Sequence, residues 1–216
     1  MKLKTESYTT QNQRWPQSGR VILAQSDADS VVVYQAYRPS IGHFAAENGH
    51  FGGGGFSMNR MTWIKPNFLW MMYRSGWGTK EGQEVTLAVR LARVAFNKIL
   101  AVAVHSNFNA HAYASESEWK TAVANSDVRL QWDPDHGPSG APHERRAIQL
   151  GLRGEVIAKY AREWILGIED ISAFVEAQRL HVANGQLDQL LTPIETVYSV
   201  TDVAVASRLG LDHGGC

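Results

Sequence analysis

Residues 20–37 read RVILAQSDADSVVVYQAY: two apolar runs, Arg20–Gln25 and Val31–Tyr37, on either side of Ser-Asp-Ala-Asp-Ser at 26–30. Three consecutive valines suit a pleated backbone. Ser and Asp between the runs favour a reversal, because their short side chains bond nearby backbone amides. The stretch predicts two strands paired as a hairpin, the start of an antiparallel sheet.

Working outward, Met61–Ile64 reads as a short strand, and Glu84–Leu91 as a longer one with Val85, Leu87, Val89 and Leu91 on one face. Val128–Trp132 and Arg146–Leu152 read as strands flanking a Pro/Gly/His loop, DPDHGPSGAPHE. Helices are expected at IGHFAAENG, with Ser40 as N-cap and Gly49 as terminator, and at NFLWMMYRS, entered through Pro66 and ended by Gly76. Val94–Val104 and Glu116–Ala124 are further candidates. From Gly154 the pattern turns helical through EVIAKYAREWILG and ISAFVEAQRLHVAN, with a tail ending near Pro193–Val200. Residues 1–19 are polar and read as a loosely ordered arm. The sum is an α+β fold: a strand-rich N-terminal two-thirds forming a mostly antiparallel sheet, and a helical C-terminal third packed on it. No repeat or linker divides residues 1–216, which read as one domain.

Hydrophobic residues make up 44% of the 216 and charged residues 19%, enough to build a core. Lys+Arg and Asp+Glu both number 21, so a zero net charge excludes a polybasic protein but leaves room for a local basic cleft. The single cysteine, Cys216, excludes an internal disulfide, a cysteine-type zinc site and a buried thiol nucleophile. MKLKTESYTTQNQRWPQSGR has no apolar core of signal-peptide length, and the run Ile99–Val104 is far short of a membrane span. The expectation is a cytoplasmic protein without a membrane partner.

Three stretches concentrate groups able to do chemistry. In VVVYQAYRPSIG, Tyr34, Gln35, Tyr37, Arg38 and Ser40 sit at a strand end and a helix mouth, where an arginine before proline can grip a phosphate or carboxylate with two N–H groups. In RMTWIKPNFLWMMYRSGWGTK, Trp63, Trp70 and Trp77 fall seven residues apart with Lys65, Asn67, Tyr73 and Arg74 among them. Such a set suits a flat heteroaromatic ring carrying phosphate, the rings stacking and the cations holding charge. In RLQWDPDHGPSGAPHERRAIQLGLRGE, Gln131, Asp133, Asp135 and His136 precede His143, Glu144, Arg145 and Arg146, with Asp and His close enough for acid/base work. No metal motif is matched, and no metal-binding residues are assigned. The glycine run Gly52–Gly55, next to Ser57, lacks both the P-loop ending and the spacing of a dinucleotide-binding turn, and reads as a lid or tight loop.

YQAYRPSIG, WIKPNFLWMMYRSGWG and QWDPDHGPSG followed by RRAIQLGLRGE resemble the signature segments of the domain-of-unknown-function family 4291, a likeness running from about Arg14 to Pro193. It implies no particular activity. A looser similarity links the strand ending in Tyr and Arg, the short helix and the glycine run before Phe-Ser to the opening of some ADP-ribosyltransferases. That similarity implies NAD as ligand, Arg38 against its pyrophosphate, Ser57 or Tyr73 supporting the nicotinamide side, and Glu84 or Glu144 as the acid.

Three functional expectations result. The first is an enzyme acting on a nucleotide-type small molecule, with ADP-ribosyl transfer from NAD as its concrete form and catalytic candidates Arg38, Glu144, Asp135 and His136. The alternatives are a single-stranded RNA or DNA binding or processing module using the same aromatic and basic residues, and a metal-assisted hydrolase built on Asp133, Asp135 and His136. All three expect Tyr34–Trp77 and Gln131–Gln149 to share one cleft.

Overall fold

The computed structural model describes residues 3–212. Strand β1 (Thr5–Ser7) and helix α1 (Tyr8–Arg14) lead into β2 (Ser18–Arg20), β3 (Leu23–Ala24) and the long β4 (Ser30–Tyr37). The reversal read at 26–30 is held by Asp27, whose Oδ1 accepts from the Ser30 amide and hydroxyl, both at 2.8 Å. Helix α2 (Pro39–Asn48) follows, with Arg38 in the N-cap position, Pro39 opening the first turn and Gly49 closing the last at φ 69°. Strand β5 (Thr62–Ile64) precedes helix α3 (Phe68–Ser75), which Asn67 caps by accepting from the Trp70 amide at 2.7 Å. Then come β6 (Val85–Ala92), α4 (Arg93–Val102), β7 (Ala103–His105), α5 (Glu116–Asn125), β8 (Val128–His136) and β9 (Pro142–Leu152). Helix α6 (Gly154–Lys159) widens into a π-helical turn at Tyr160–Trp164, and β10 (Ile165–Asp170), α7 (Ser172–Ala183), β11 (Leu191–Pro193), β12 (Thr196–Val197) and α8 (Val203–Leu209) complete the chain.

Strands β10, β6 and β4 form an antiparallel sheet in that order. A second sheet runs β2-β9-β8-β7, with β5 beside the C-terminal half of β9. Only its β2–β9 and β7–β8 pairings are parallel. The two sheets join at one residue pair. The Tyr34 amide donates to the Lys65 carbonyl at 2.7 Å, and the Lys65 amide returns a bond to the Tyr34 carbonyl at 3.2 Å.

Alternation sorts side chains onto two faces. Val31 and Val33 of β4, Leu87, Val89 and Leu91 of β6, and Leu130, Ile148 and Leu150 of β8 and β9 join Ile41 and Phe96 in the larger core. Val32, Tyr34 and Ala88 point the other way, onto Phe68, Leu69 and Met72 of α3 and Val175 of α7. Burying a side chain such as Leu87 or Leu91 completely contributes about 1.5–3 kcal/mol.

The α+β class and mostly antiparallel pairing stand, and helices are spread along the whole chain rather than gathered in its last third. The end of EVIAKYAREWILG, read as helix, belongs instead to β10, which pairs with β6 from Ile165↔Leu91 to Asp170↔Leu87. Residues 3–19 are no loose arm. β1 pairs with β11, the Gln11 amide donates to Thr192 Oγ1 at 2.8 Å, and the buried Trp15 ring donates to the Glu195 carbonyl at 2.8 Å. The DPDHGPSGAPHE stretch is largely strand, because β8 continues to His136 and β9 begins at Pro142. His213 and Cys216 lie outside the described residues. Among the described residues, no helix is long and apolar enough to cross a membrane.

Gly42 sets the distance between α2 and β6, since a Cβ there would meet Val85 Cγ1 at 2.4 Å. Gly42→Ala is expected to lower unfolding free energy by about 1–3 kcal/mol in urea titrations, the usual cost of overpacking, despite alanine's better helix propensity.

Candidate functional site

Strand β4 delivers Tyr37 and Arg38 to the edge of the β4–β6 sheet, where α2 starts. The loop after α2 folds back over this corner. Gly53 takes φ 70°, and a Cβ on Gly55 would meet Ile41 Cγ1 at 3.0 Å, so the glycine run lies directly against the first turn of α2. Between these parts is a cleft of ≈ 240 Å³ lined by Tyr37, Arg38, Ser57, Arg60, Thr62 and Gly82, among others. Arg38 and Arg60 make no ion pair among the described residues, and both are exposed. Tyr37 lies opposite Val85 at the end of the β4–β6 ladder, so Arg38 and Glu84 are the next residue along each strand. The Glu84 carboxylate accepts from the Gly82 amide at 2.8 Å.

The cleft floor is a buried polar relay. Tyr160, carried by the π-helical turn, donates to Gln35 Oε1 at 2.5 Å. The Gln35 amide nitrogen donates to the Tyr37 and Thr62 hydroxyls, both at 2.8 Å, and those hydroxyls bond each other. Burial pushes the Tyr37 phenol up to about 12, although the bonds from Thr62 and Gln35 pull it down, so it keeps its proton at neutral pH. Phe51 and Phe56 stack beneath it, with centroids 5.0 Å apart.

Other predicted residues occupy the opposite face of the sheets. Trp63 and Lys65 share a face along the chain through β5, and Gln131, Asp133 and Gln149 share it on β8 and β9. Asp133 accepts from the Gln131 amide at 2.8 Å and the Gln149 amide at 2.7 Å. Further along, Trp70, Tyr73 and His136 stack with nearly parallel rings, Tyr73 and His136 only 3.5 Å apart between centroids. Burial lowers the His136 pKa from the ordinary histidine value, which favours a neutral ring, and its Nδ1 is buried without a hydrogen-bond partner among the described residues. Trp77 adopts φ 55° and donates from its indole to the Pro138 carbonyl at 3.1 Å, tying the end of α3 to the β8–β9 turn.

The structure therefore divides the expected single cleft. Tyr37, Arg38 and Ser57 meet at the first site, above Gln35, with Ser40 exposed on the adjoining turn of α2. Lys65, Arg74, Gln131 and Asp133 belong to the second face, where Tyr34 turns its ring toward α3. Asp135 and Arg145 are sealed together. Arg145 Nε and Nη2 reach Asp135 Oδ2 at 2.7 and 2.6 Å, Nη1 donates to the Pro16 carbonyl at 2.6 Å, and each side chain is 2% exposed. Asn67 is fully engaged as helix cap and as donor to the buried Glu195 carboxyl at 3.2 Å. Burial raises that carboxyl well above the carboxylate range. Glu144 and Arg146 are exposed on β9 beside β2, remote in the register from the Arg38 corner. Among the described residues, no three His, Cys, Asp or Glu side chains are grouped to hold a metal ion.

Sequence reasoning missed Arg60, Thr62 and Tyr160 and gave Glu84 no precedence over Glu144. Tyr160 is far from β4 in the chain, and only the π-helical turn brings its hydroxyl to Gln35. A larger cavity of ≈ 540 Å³ lies between α5 and α6, lined by Tyr113, Glu155 and Trp164 among others. Its charged groups are already occupied: Asp127 by Arg153 and the Glu155 amide, Glu155 by Lys159, and Arg208 by the Leu100 carbonyl. It brings together no unpaired charges like those of Arg38 and Arg60, so the smaller cleft is the better candidate site.

Residues 21–198 match the family described as Domain of unknown function (DUF4291), and the chain belongs to that family. No curated protein matches it.

Removing one partner of the Asp135–Arg145 pair leaves a buried charge uncompensated. Asp135→Ala is expected to cost about 3–5 kcal/mol in urea unfolding, whereas the double change Asp135→Leu/Arg145→Met recovers most of that loss.

Proposed function

We propose that the protein acts on a nucleotide-type ligand whose phosphate enters the Arg38–Arg60 cleft, with ADP-ribosyl transfer from NAD as the concrete reaction. The observation that supports this most is the meeting of two arginines, without carboxylate partners among the described residues, over a hydroxyl-lined cleft at the start of α2. Guanidinium groups match phosphate oxygens in pairs, and a helix N-terminus adds favourable potential for an anion. At ≈ 240 Å³ the cleft suits a sugar-phosphate portion, and the rest of a dinucleotide extends beyond it. In the transfer, the bond from ribose C1′ to nicotinamide breaks with its electron pair leaving on nicotinamide nitrogen, and an acceptor nucleophile bonds C1′. Glu84 supplies the negative charge that stabilises the positive ribose in between.

Nicotinamide release from NAD, measured by chromatography with protein and nucleic-acid acceptors, tests this. Arg38→Ala is expected to lower release about ten- to a hundredfold, the loss of a charge-assisted phosphate contact. Glu84→Gln is expected to lower it at least as far with an unchanged melting temperature. No release with any acceptor removes the transfer chemistry. If Arg60→Ala still weakens binding of ADP-ribose, the phosphate site stands without it.

The exposed Tyr73, 46% open and stacked on His136, favours a second reading, binding of single-stranded nucleic acid on the opposite face. Its affinity for an oligonucleotide is expected to fall steeply with salt and with Tyr73→Ala, and salt-independent binding would rule it out.

A further inference from the structure

Lys65 is 6% exposed, and its backbone is clasped in both directions by Tyr34. Its side chain follows Trp63 on the face that carries Gln131, Asp133 and Gln149, and the Arg74 charge on α3 is close enough to act on it electrostatically. Among the described residues the Lys65 ammonium makes no ion pair or hydrogen bond, and the nearby Asp133 carboxylate accepts from the Gln131 and Gln149 amides. Sheet register and the α3 cap at Asn67 fix the backbone on both sides of Lys65, so the side chain always leaves the sheet on this face.

We propose that Lys65 is a nucleophilic amine that condenses with an aldehyde or ketone bearing a phosphate or carboxylate, the anionic group being held by Arg74. A lysine becomes nucleophilic when its ammonium is desolvated or set beside another cation, and both conditions are met at this position. Burial and then Arg74 lower its pKa to about 8, with Asp133 opposing them. Roughly a fifth of the amine is then neutral at pH 7.4, against about 0.1% for an ordinary lysine. The neutral nitrogen attacks the carbonyl carbon and the C=O π pair moves to oxygen. The two N–H hydrogens leave with that oxygen as water, giving an imine with atoms and charge balanced. Asp133, on the same face, is the carboxylate placed to relay those protons. This site lies across the sheet from the Arg38 cleft and stands or falls apart from the NAD reading.

The test is trapping with pyridoxal 5′-phosphate, an aldehyde carrying a phosphate, followed by borohydride and peptide mapping over the seven lysines of the chain. Lys65 is expected to be modified at least tenfold faster than the exposed Lys80 and Lys120 at pH 7.5, with a rate that climbs through a midpoint near pH 8. Arg74→Gln is expected to slow labelling of Lys65 about tenfold while leaving Lys120 unchanged. Labelling of Lys65 no faster than the exposed lysines overturns the proposal, and fast labelling indifferent to Arg74→Gln overturns the anion clamp. The decisive comparison is made within the native protein, so it does not depend on any variant folding.

Discussion

The reciprocal hydrogen bonds between Tyr34 and Lys65 join two sheets that otherwise pair separately. On one side of this joint, β4 continues into β6 and β10, and on the other, β5 continues into β9 and β8. Because a strand alternates its side chains, fixing Tyr34 against Lys65 fixes what each face receives. Gln35 and Thr62 meet on the face of the larger core, and Lys65 and Trp63 emerge on the other. A slip of one residue at this joint would exchange the contents of the two faces and dismantle both sites. The buried cap at Asn67, bonded to Glu195 near the chain's end, holds the register by fixing α3 immediately after the joint.

What was legible in the sequence is what local pattern controls. The β6 alternation identified Val85, Leu87, Val89 and Leu91 as one face, and all four are buried in the larger core. Gly49 and Gly76 marked helix ends because each takes a positive φ there. Tyr160, Ala161, Trp164 and Ile165 mimic a helical stripe. The chain instead widens into a π turn and leaves the helix at Ile165, since the edge of β6 offers β10 a ladder. The N-terminal residues show the same limit. Their polar composition reads as an arm, yet Gln11 and Trp15 find partners 181 and 180 positions away, a distance no local signal spans.

The candidate sites were half legible for the same reason. Arg38 and Ser57 stood out because they flank a strand end and a glycine run. Arg60 and Thr62 lacked any such marker, and their place at the cleft depends on β5 pairing with β9. Asp135 looked chemically active because it adjoins His136, and Arg145 because it follows His143 and Glu144. Their charge is explained by mutual pairing, the Pro16 carbonyl and the Trp15 ring, 5.4 Å from the guanidinium. Buried charge marks a site only when its partners are missing, a condition Lys65 meets and Asp135 does not.

The relay under the cleft shows how a buried tyrosine can determine what a ligand meets. Tyr160 is wholly buried, so its hydroxyl hydrogen needs an acceptor, and Gln35 Oε1 is that acceptor. This fixes the Gln35 amide with its nitrogen toward Tyr37 and Thr62, because the opposite flip would leave the Tyr160 hydrogen unpaired in the core. Both hydroxyls therefore accept from Gln35 and bond each other, one donating and one accepting. The accepting hydroxyl has a hydrogen these partners do not use, and Tyr37 and Thr62 both line the cleft. The floor thus presents a donor beneath the two arginines, a polarity that favours an oxygen-rich anion over a cation or an amine.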